Sequence, residues 1–162
     1  MFIVEPKGGR PKVDTEVAFV GGGGLLAHRG RPRDYGKGNA GAPAPGSVVV
    51  KGVATRSKDK PISVAARSSV RICLLDAGPN EDSSFHIVGT IFDTVIKEGI
   101  ALVKGNAGRW GSQAVDLSPA QGAIVEFSPA EDGMYVMVTH AFNFVGKGAV
   151  GIFKAGDGDP KN

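Results

Sequence analysis

The thiol and imidazole side chains that could act as nucleophiles or bind a metal in this 162-residue chain are one cysteine and three histidines. Cys73 lies inside the apolar run Val70–Leu75, a setting that indicates a buried and unreactive thiol. His86 lies within another apolar run, His140 ends a third, and no pattern places His28 near either of them. An imidazole in an apolar strand is either a buried core residue or a ligand. A metal normally needs three or four donors. From the residues alone, a histidine of this chain could therefore contribute a ligand to a metal site shared between chains, but the chain could not form a closed site by itself.

The composition limits the elements that could position these side chains. The chain is 41% hydrophobic and 22% charged, and its length suits one globular domain. Its 25 glycines and 10 prolines favour many short strands joined by turns over long helices. A single cysteine excludes a disulfide framework, and a net charge of +3 is small for a nucleic-acid-binding protein. No apolar run is long enough to span a membrane, and no signal-peptide pattern opens the sequence.

The strand signals recur at intervals of roughly 8–12 residues, which is typical of an antiparallel sandwich or barrel. They are apolar runs bounded by turn residues: Thr15–Val20, Ser47–Val53, Ile62–Ala66, Ser69–Leu75, Phe85–Val95, Ile100–Val103, Gly122–Ser128, Met134–Thr139 and Ala149–Lys154. The glycines Gly21 to Gly24 are expected to end the first strand. The runs Val48–Val50 and Val70–Leu75 are apolar on both faces, which suggests that another domain or subunit covers part of the outer surface.

Three regions follow from this organisation. Residues 1–14 are predicted to form an extended arm, residues 15–155 a β-sandwich, and residues 156–162 a tail. A loop at 29–46 is rich in Gly, Arg and Pro, and its cations are Arg29, Arg31, Arg33 and Lys37. These cations are either part of a solvated loop or a surface that docks a phosphate or a protein partner.

Three segments carry a resemblance to a known family. They are Val4–Asp14, then Gly78–Asp93 around His86, then Gly122–Gly151 around His140. Together they resemble the second cupredoxin domain of copper-containing nitrite reductases and of two-domain multicopper oxidases. The resemblance extends from residue 1 to about residue 155 and is weakest over Gly21–Gly46, which matches in length more than in residues. It implies an all-β fold, a single Greek-key β-sandwich of cupredoxin type.

The resemblance also implies roles for individual residues. In that family a type 2 copper lies between the subunits of a trimer, and His140 matches the ligand that the second domain supplies. His86 matches the active-site histidine that delivers protons to nitrite without binding copper, and Val88 matches the aliphatic residue that caps the metal. Gln113 matches a side chain that hydrogen-bonds the active-site histidine, whereas Ala114 replaces a hydroxyl residue.

Several parts of the family's catalytic machinery have no counterpart in this chain. A type 1 copper needs a Cys, two His and usually a Met together, and Cys73 has no histidine nearby in the sequence. The first-domain histidines and the catalytic aspartate are also missing. The chain would be an oxidoreductase, reducing nitrite to nitric oxide or acting on oxygen, only if a partner supplies the rest. The alternative is a non-catalytic cupredoxin-fold subunit of a larger complex that has lost copper chemistry.

The resemblance further implies partners and a location. The partners would be copies of the same chain, most simply a trimer, a second cupredoxin domain or a larger complex, together with a small anionic substrate. The location would be periplasmic or otherwise extracytoplasmic, although this chain shows no signal peptide. Nucleic acid is not an expected partner, and no membrane span is expected.

Overall fold

The structure, a computed structural model, describes residues 3–24, 47–50, 60–78, 81–103 and 111–156. These residues form short strands and one 3₁₀ helix, Phe142–Lys147. The strands in chain order are β1 Thr15–Gly24, β2 Ser47–Val50, β3 Ile62–Val64, β4 Val70–Asp76, β5 Ser83–Ile87, β6 Thr94–Lys97, β7 Ile100–Val103, β8 Ala114–Leu117, β9 Gly122–Phe127, β10 Gly133–Thr139 and β11 Val150–Ala155.

The strands form two sheets that pack face to face as a β-sandwich. Sheet A has the order β2-β1-β4-β9-β6-β7, and sheet B has the order β3-β11-β10-β5-β8. The chain crosses repeatedly between the sheets, for example from β4 to β5 and from β5 back to β6, as a Greek-key fold requires. The neighbours β1 and β4 are parallel, as are β3 and β11, and the other pairs are antiparallel. The predicted all-β, Greek-key sandwich is confirmed.

Alternation of apolar and polar residues sets which face of each strand is buried. In β9 every second residue from Ala123 to Phe127 is buried, and the residues between them point to the outer face. The Phe153 ring, fully buried, packs edge-to-face against Phe19 and Phe127, with ring centroids 6.3 and 5.3 Å away. This aromatic cluster joins the two sheets at the centre of the core.

Two of the expected strands differ in the structure. The run Phe85–Val95 is not one strand, because the chain turns after Ile87 and enters the other sheet at Thr94. Gly89 has a φ of +82°, and the Thr90 backbone N–H donates to the Ile87 carbonyl at 3.2 Å, which closes the turn. The glycines after Val20 continue β1, since they pair with β2 from Gly21 to Gly24. Strand β8 was not predicted from the sequence, because its four residues are too few to give a clear periodic signal.

The outer side of β4 is covered by the chain's own N-terminal arm. Arg71 and Cys73 point to this side and are 4% and 2% exposed. Arg71 Nη2 donates to the Pro11 carbonyl at 2.6 Å, and Arg10 Nη1 lies 4.0 Å from Cys73 Sγ. At β4, therefore, a segment of the same chain provides the cover that the sequence analysis assigned to another domain or subunit.

Some expectations fall on residues outside the described ranges. The cations Arg29, Arg31, Arg33 and Lys37 lie there, as does His28. Of the helices formed by the described residues, none is long and apolar enough to cross a membrane.

Candidate functional site

Two neighbouring strands of sheet B bring His86 and His140 together. His86 lies on β5 opposite Val138 of β10, and His140 directly follows β10. The His140 backbone N–H donates to the Ser84 carbonyl at 2.8 Å, which continues the strand pairing by one residue. The two histidines are therefore diagonal neighbours on the outer face of the sheet, within reach of each other.

The two imidazole rings are in direct contact. His86 Nδ1 and His140 Nε2 lie 2.7 Å apart, a hydrogen-bond distance at which one nitrogen carries the proton. The ring centroids are 5.0 Å apart and the planes are inclined by 29°. His86 is half-buried, whereas His140 is exposed. The pair thus forms a small polar centre on an open surface.

The surroundings favour the neutral form of His86. Burial lowers the pKa of its imidazole, and the neighbouring His140 lowers it further. A neutral imidazole has one nitrogen free to accept a proton or to ligate a metal. His86 is therefore suited to a role in which it gains and loses a proton.

Exposed apolar side chains lie near the histidines in the chain, and one of them, Phe142, also lies near His140 in space. Val88 and Ile91, which follow His86, are each 50% exposed, and Phe142 is 62% exposed. The Phe142 ring centroid lies 6.2 Å from that of His140. We call Val88, Ile91 and Phe142 the apolar rim. Single exposed apolar residues are ordinary on a protein surface, but a group beside a polar centre is typical of an interaction surface.

Gln113 lies close to the pair along the sheet but does not bond to it here. Ala114, the first residue of β8, is paired with His86, and Gln113 directly precedes Ala114 in the chain. The Gln113 side chain is exposed, and the described contacts include no hydrogen bond between it and His86, whose Nδ1 contacts His140. Its expected hydrogen bond to the active-site histidine stays a prediction.

The described residues provide only part of a metal site. Among them no group of three or more His, Cys, Asp or Glu side chains is arranged to hold a metal ion. An exposed imidazole is nevertheless a ligand of the right type for a transition metal, and neighbouring imidazoles are common at such sites. The donor set therefore fits a metal whose other ligands come from elsewhere, and it does not fit a closed site within these residues.

Two features of the site were not predicted from the sequence. The first is the presence of Phe142 and Ile91 in the apolar rim, for which an aromatic residue two positions after a candidate ligand was a usable signal. The second is Thr139, whose hydroxyl contacts both strands that carry the histidines. A threonine at the end of a strand gives no sequence signal for such a contact.

Comparison with known sequences relates the chain to one class of enzyme. It is 37% identical over 161 residues to the copper-containing nitrite reductase of Neisseria gonorrhoeae, covering 95% of this chain and 39% of that protein. The copper-containing nitrite reductase of Neisseria meningitidis serogroup B (strain ATCC BAA-335 / MC58) is also 37% identical, with 95% of this chain and 40% of that protein covered. The chain therefore spans about two fifths of the length of these curated relatives. No family model matches the chain.

Comparison with solved structures gives the same result. A multicopper oxidase structure superposes with a TM-score of 0.76 at 26% identity, covering 96% of this chain and 48% of that one. The copper-containing nitrite reductase of Thermus scotoductus SA-01 superposes with a TM-score of 0.70 at 28% identity, covering 93% of this chain and 33% of that one. In each case nearly all of this chain matches a part of a longer protein.

Proposed function

We propose that this chain, whose fold and sequence are similar to a domain of copper-containing nitrite reductases and multicopper oxidases, supplies half of a copper site shared between chains. The observation that carries the proposal is the His86–His140 pair, with ring nitrogens 2.7 Å apart on an open sheet face. Two imidazoles are too few for a closed site, so the remaining ligands would come from a partner.

The proposed roles follow from the exposure and environment of each side chain. His140, exposed at the end of β10, would be the metal ligand. Copper held there would supply an electron to a bound anion. His86 would not bind the metal but would pass protons to the substrate, since its lowered pKa means that a proton taken up by the ring is readily released. Val88 would shape the space for the substrate, and Gln113 would reach His86 once a substrate or partner rearranges the pair.

Reduction of nitrite to nitric oxide is the reaction that this arrangement serves best. Nitrite takes up one electron and two protons and gives nitric oxide and water, so a proton relay beside the anion accelerates it. The electron would come from a type 1 copper centre in another chain or domain. Oxygen is the alternative acceptor, in line with the multicopper oxidase neighbour.

The apolar rim supports the proposal that a partner covers this face. Val88, Ile91 and Phe142 leave apolar area in water beside the histidines, and covering it would also remove water from the site. The partner would be another copy of the chain, most simply in a trimer, or a second cupredoxin domain in the same complex. We place this assembly outside the cytoplasm, where copper enzymes of this type would meet small anions.

A second function is a non-catalytic cupredoxin subunit that holds a larger complex together. The exposed apolar rim favours it, because such a surface suits docking with or without a metal. In this case the rim, together with the cations Arg29, Arg31, Arg33 and Lys37 outside the described ranges, would serve docking alone.

The deciding experiment measures copper per chain in the assembly isolated gently from its source. The copper-subunit proposal expects about one copper or more per chain, lost in His140→Ala and kept in His28→Ala, the matched removal of another imidazole. His86→Gln should keep the copper but slow nitrite reduction. A folded, fully assembled wild-type complex without copper would refute the proposal and favour the structural subunit.

A further inference from the structure

Thr139 ends β10 and directly precedes His140. Its side chain is 7% exposed, which makes it one of the few buried polar residues among those described. A buried hydroxyl costs stability unless hydrogen bonds satisfy it. The partners of this hydroxyl are therefore informative about its role.

The Thr139 hydroxyl connects the two strands that carry the histidines. Its Oγ1 accepts a hydrogen bond from the Ser84 backbone N–H at 3.2 Å and from the Ala141 backbone N–H at 3.3 Å. It also shares a hydrogen bond of 3.2 Å with Ser83 Oγ. One oxygen atom thus links the beginning of β5 to the chain on the far side of His140.

This link fixes the backbone on both sides of His140. The Ser84 carbonyl accepts from the His140 N–H at 2.8 Å, so both polar groups of the Ser84 backbone are engaged by consecutive residues of the other strand. His86 follows two residues later on β5 and points to the same outer face. The relative position of the two imidazoles therefore depends on how firmly the strands are joined at Ser84.

His140 needs such support because its own side chain is exposed. An exposed side chain has few packing contacts to limit its position, so the backbone below it decides where the ring lies. Groups that orient a metal ligand without touching the metal commonly change metal affinity by 10- to 100-fold when removed.

We propose that Thr139 is a positioning residue whose hydroxyl holds the His140 imidazole at hydrogen-bond distance from His86. Its effect on metal binding rests on the proposed function, whereas its effect on the imidazole pair does not. Thr139→Val keeps the shape of the side chain but removes the oxygen, and Thr139→Ser keeps the oxygen. Ser68→Ala is the matched control, because it removes a hydroxyl that bonds locally to the Ala65 carbonyl, away from the histidines.

The first readout is the imidazole pair in the metal-free chain, observed through the ¹⁵N resonances of the two rings and the coupling across their hydrogen bond. We expect Thr139→Val to lose the coupling while its circular dichroism and cooperative unfolding show an intact fold. Thr139→Ser and Ser68→Ala should keep the coupling. A folded Thr139→Val variant with an unchanged imidazole pair would overturn the proposal.

The second readout is the affinity for copper(II) of the complete assembly after its copper has been removed, titrated calorimetrically. We expect binding at least about tenfold weaker in Thr139→Val and within about twofold of wild type in Thr139→Ser. If Thr139→Val does not fold, Thr139→Ser tests the proposal instead. Loss of the coupling between the two imidazoles in the folded serine variant would mean that the hydroxyl does not position His140. Wild type and His140→Ala binding copper equally would refute the copper proposal and leave the imidazole result standing.

Discussion

Replacing Arg71 with methionine tests how far one buried cation holds the arm and sheet A together. The Arg71 side chain is 5% exposed, and its guanidinium donates Nε to Glu126 at 2.7 Å and Nη1 to Glu16 at 3.0 Å. Its Nη2 donates to the Pro11 carbonyl at 2.6 Å. Methionine keeps the aliphatic stem but removes all three donors.

The size of the expected stability loss depends on how exposed to water the former partners of Arg71 are. A hydrogen bond to a charged group contributes about 1.5–3 kcal/mol. The side chains of Glu16 and Glu126 are 41% and 23% exposed, so water can replace part of what each carboxylate loses. We therefore expect a loss of about 2–4 kcal/mol in the free energy of unfolding, below the sum of three full bonds. For a chain of this size that corresponds to a fall in Tm of roughly 5–15 °C.

Arg10→Met is the matched control for this prediction. Arg10 pairs with the carboxylate of Glu5, which is half exposed, through a bond of 2.9 Å from its Nε. Arg10 is itself only 7% exposed, but water solvates its carboxylate partner, so the loss for Arg10→Met should be smaller than that for Arg71→Met. Urea unfolding of both variants at neutral pH makes the comparison. A loss for Arg71→Met no larger than that for Arg10→Met would refute the reasoning from the number and exposure of the bonded partners.

Three further predictions follow from the core, a buried carboxylate and the histidine pair. Phe153→Ala should lower the free energy of unfolding by about 3–5 kcal/mol, measured in urea, because it removes the central ring of the aromatic cluster. Phe142→Ala should leave the free energy of unfolding almost unchanged but weaken assembly, measured by sedimentation. Equal stability losses in the two variants would contradict this prediction. Burial and the charge of Asp82 raise the pKa of Asp76, so the folded state loses stability as the pH rises through that pKa. Asp76→Asn should therefore be more stable than wild type at pH 7 and lose the advantage near pH 4, and an advantage that persists there would count against it. His86→Gln should reduce nitrite turnover most where proton supply limits the rate, which a pH–rate profile would detect, and an unchanged profile would remove His86 from the relay.

Most of the fold could be predicted from the sequence, because its strands are apolar runs separated by glycine and proline turns. The run Phe85–Val95 was misread as one strand, since periodicity alone does not reveal a turn whose flanking residues are also apolar. The covering of β4 by the arm was also missed. It depends on contacts between Arg71 and residues 55 to 60 positions away in the chain, which no local pattern encodes.

The site was predictable in its residues but not in its geometry. His86 and His140 stand out by type and by their place in apolar runs. Their contact follows from the strand register, which the structure supplies through the pairing of His86 with Val138. The contribution of Thr139 lies in a hydroxyl contact across strands, and the identity of the residue gives no indication of it.

The separation of the two histidines along the chain has a consequence for how the protein matures. They are 54 residues apart, so their contact requires closure of a long loop and the pairing of β5 with β10. Sandwich folds dominated by such distant pairings fold in milliseconds to seconds, slowly for their size. The imidazole pair therefore cannot form until β5 and β10 are paired, so a site that needs His86 beside the His140 ligand would be complete only after that step. Copper present from the start of refolding should leave the rate unchanged.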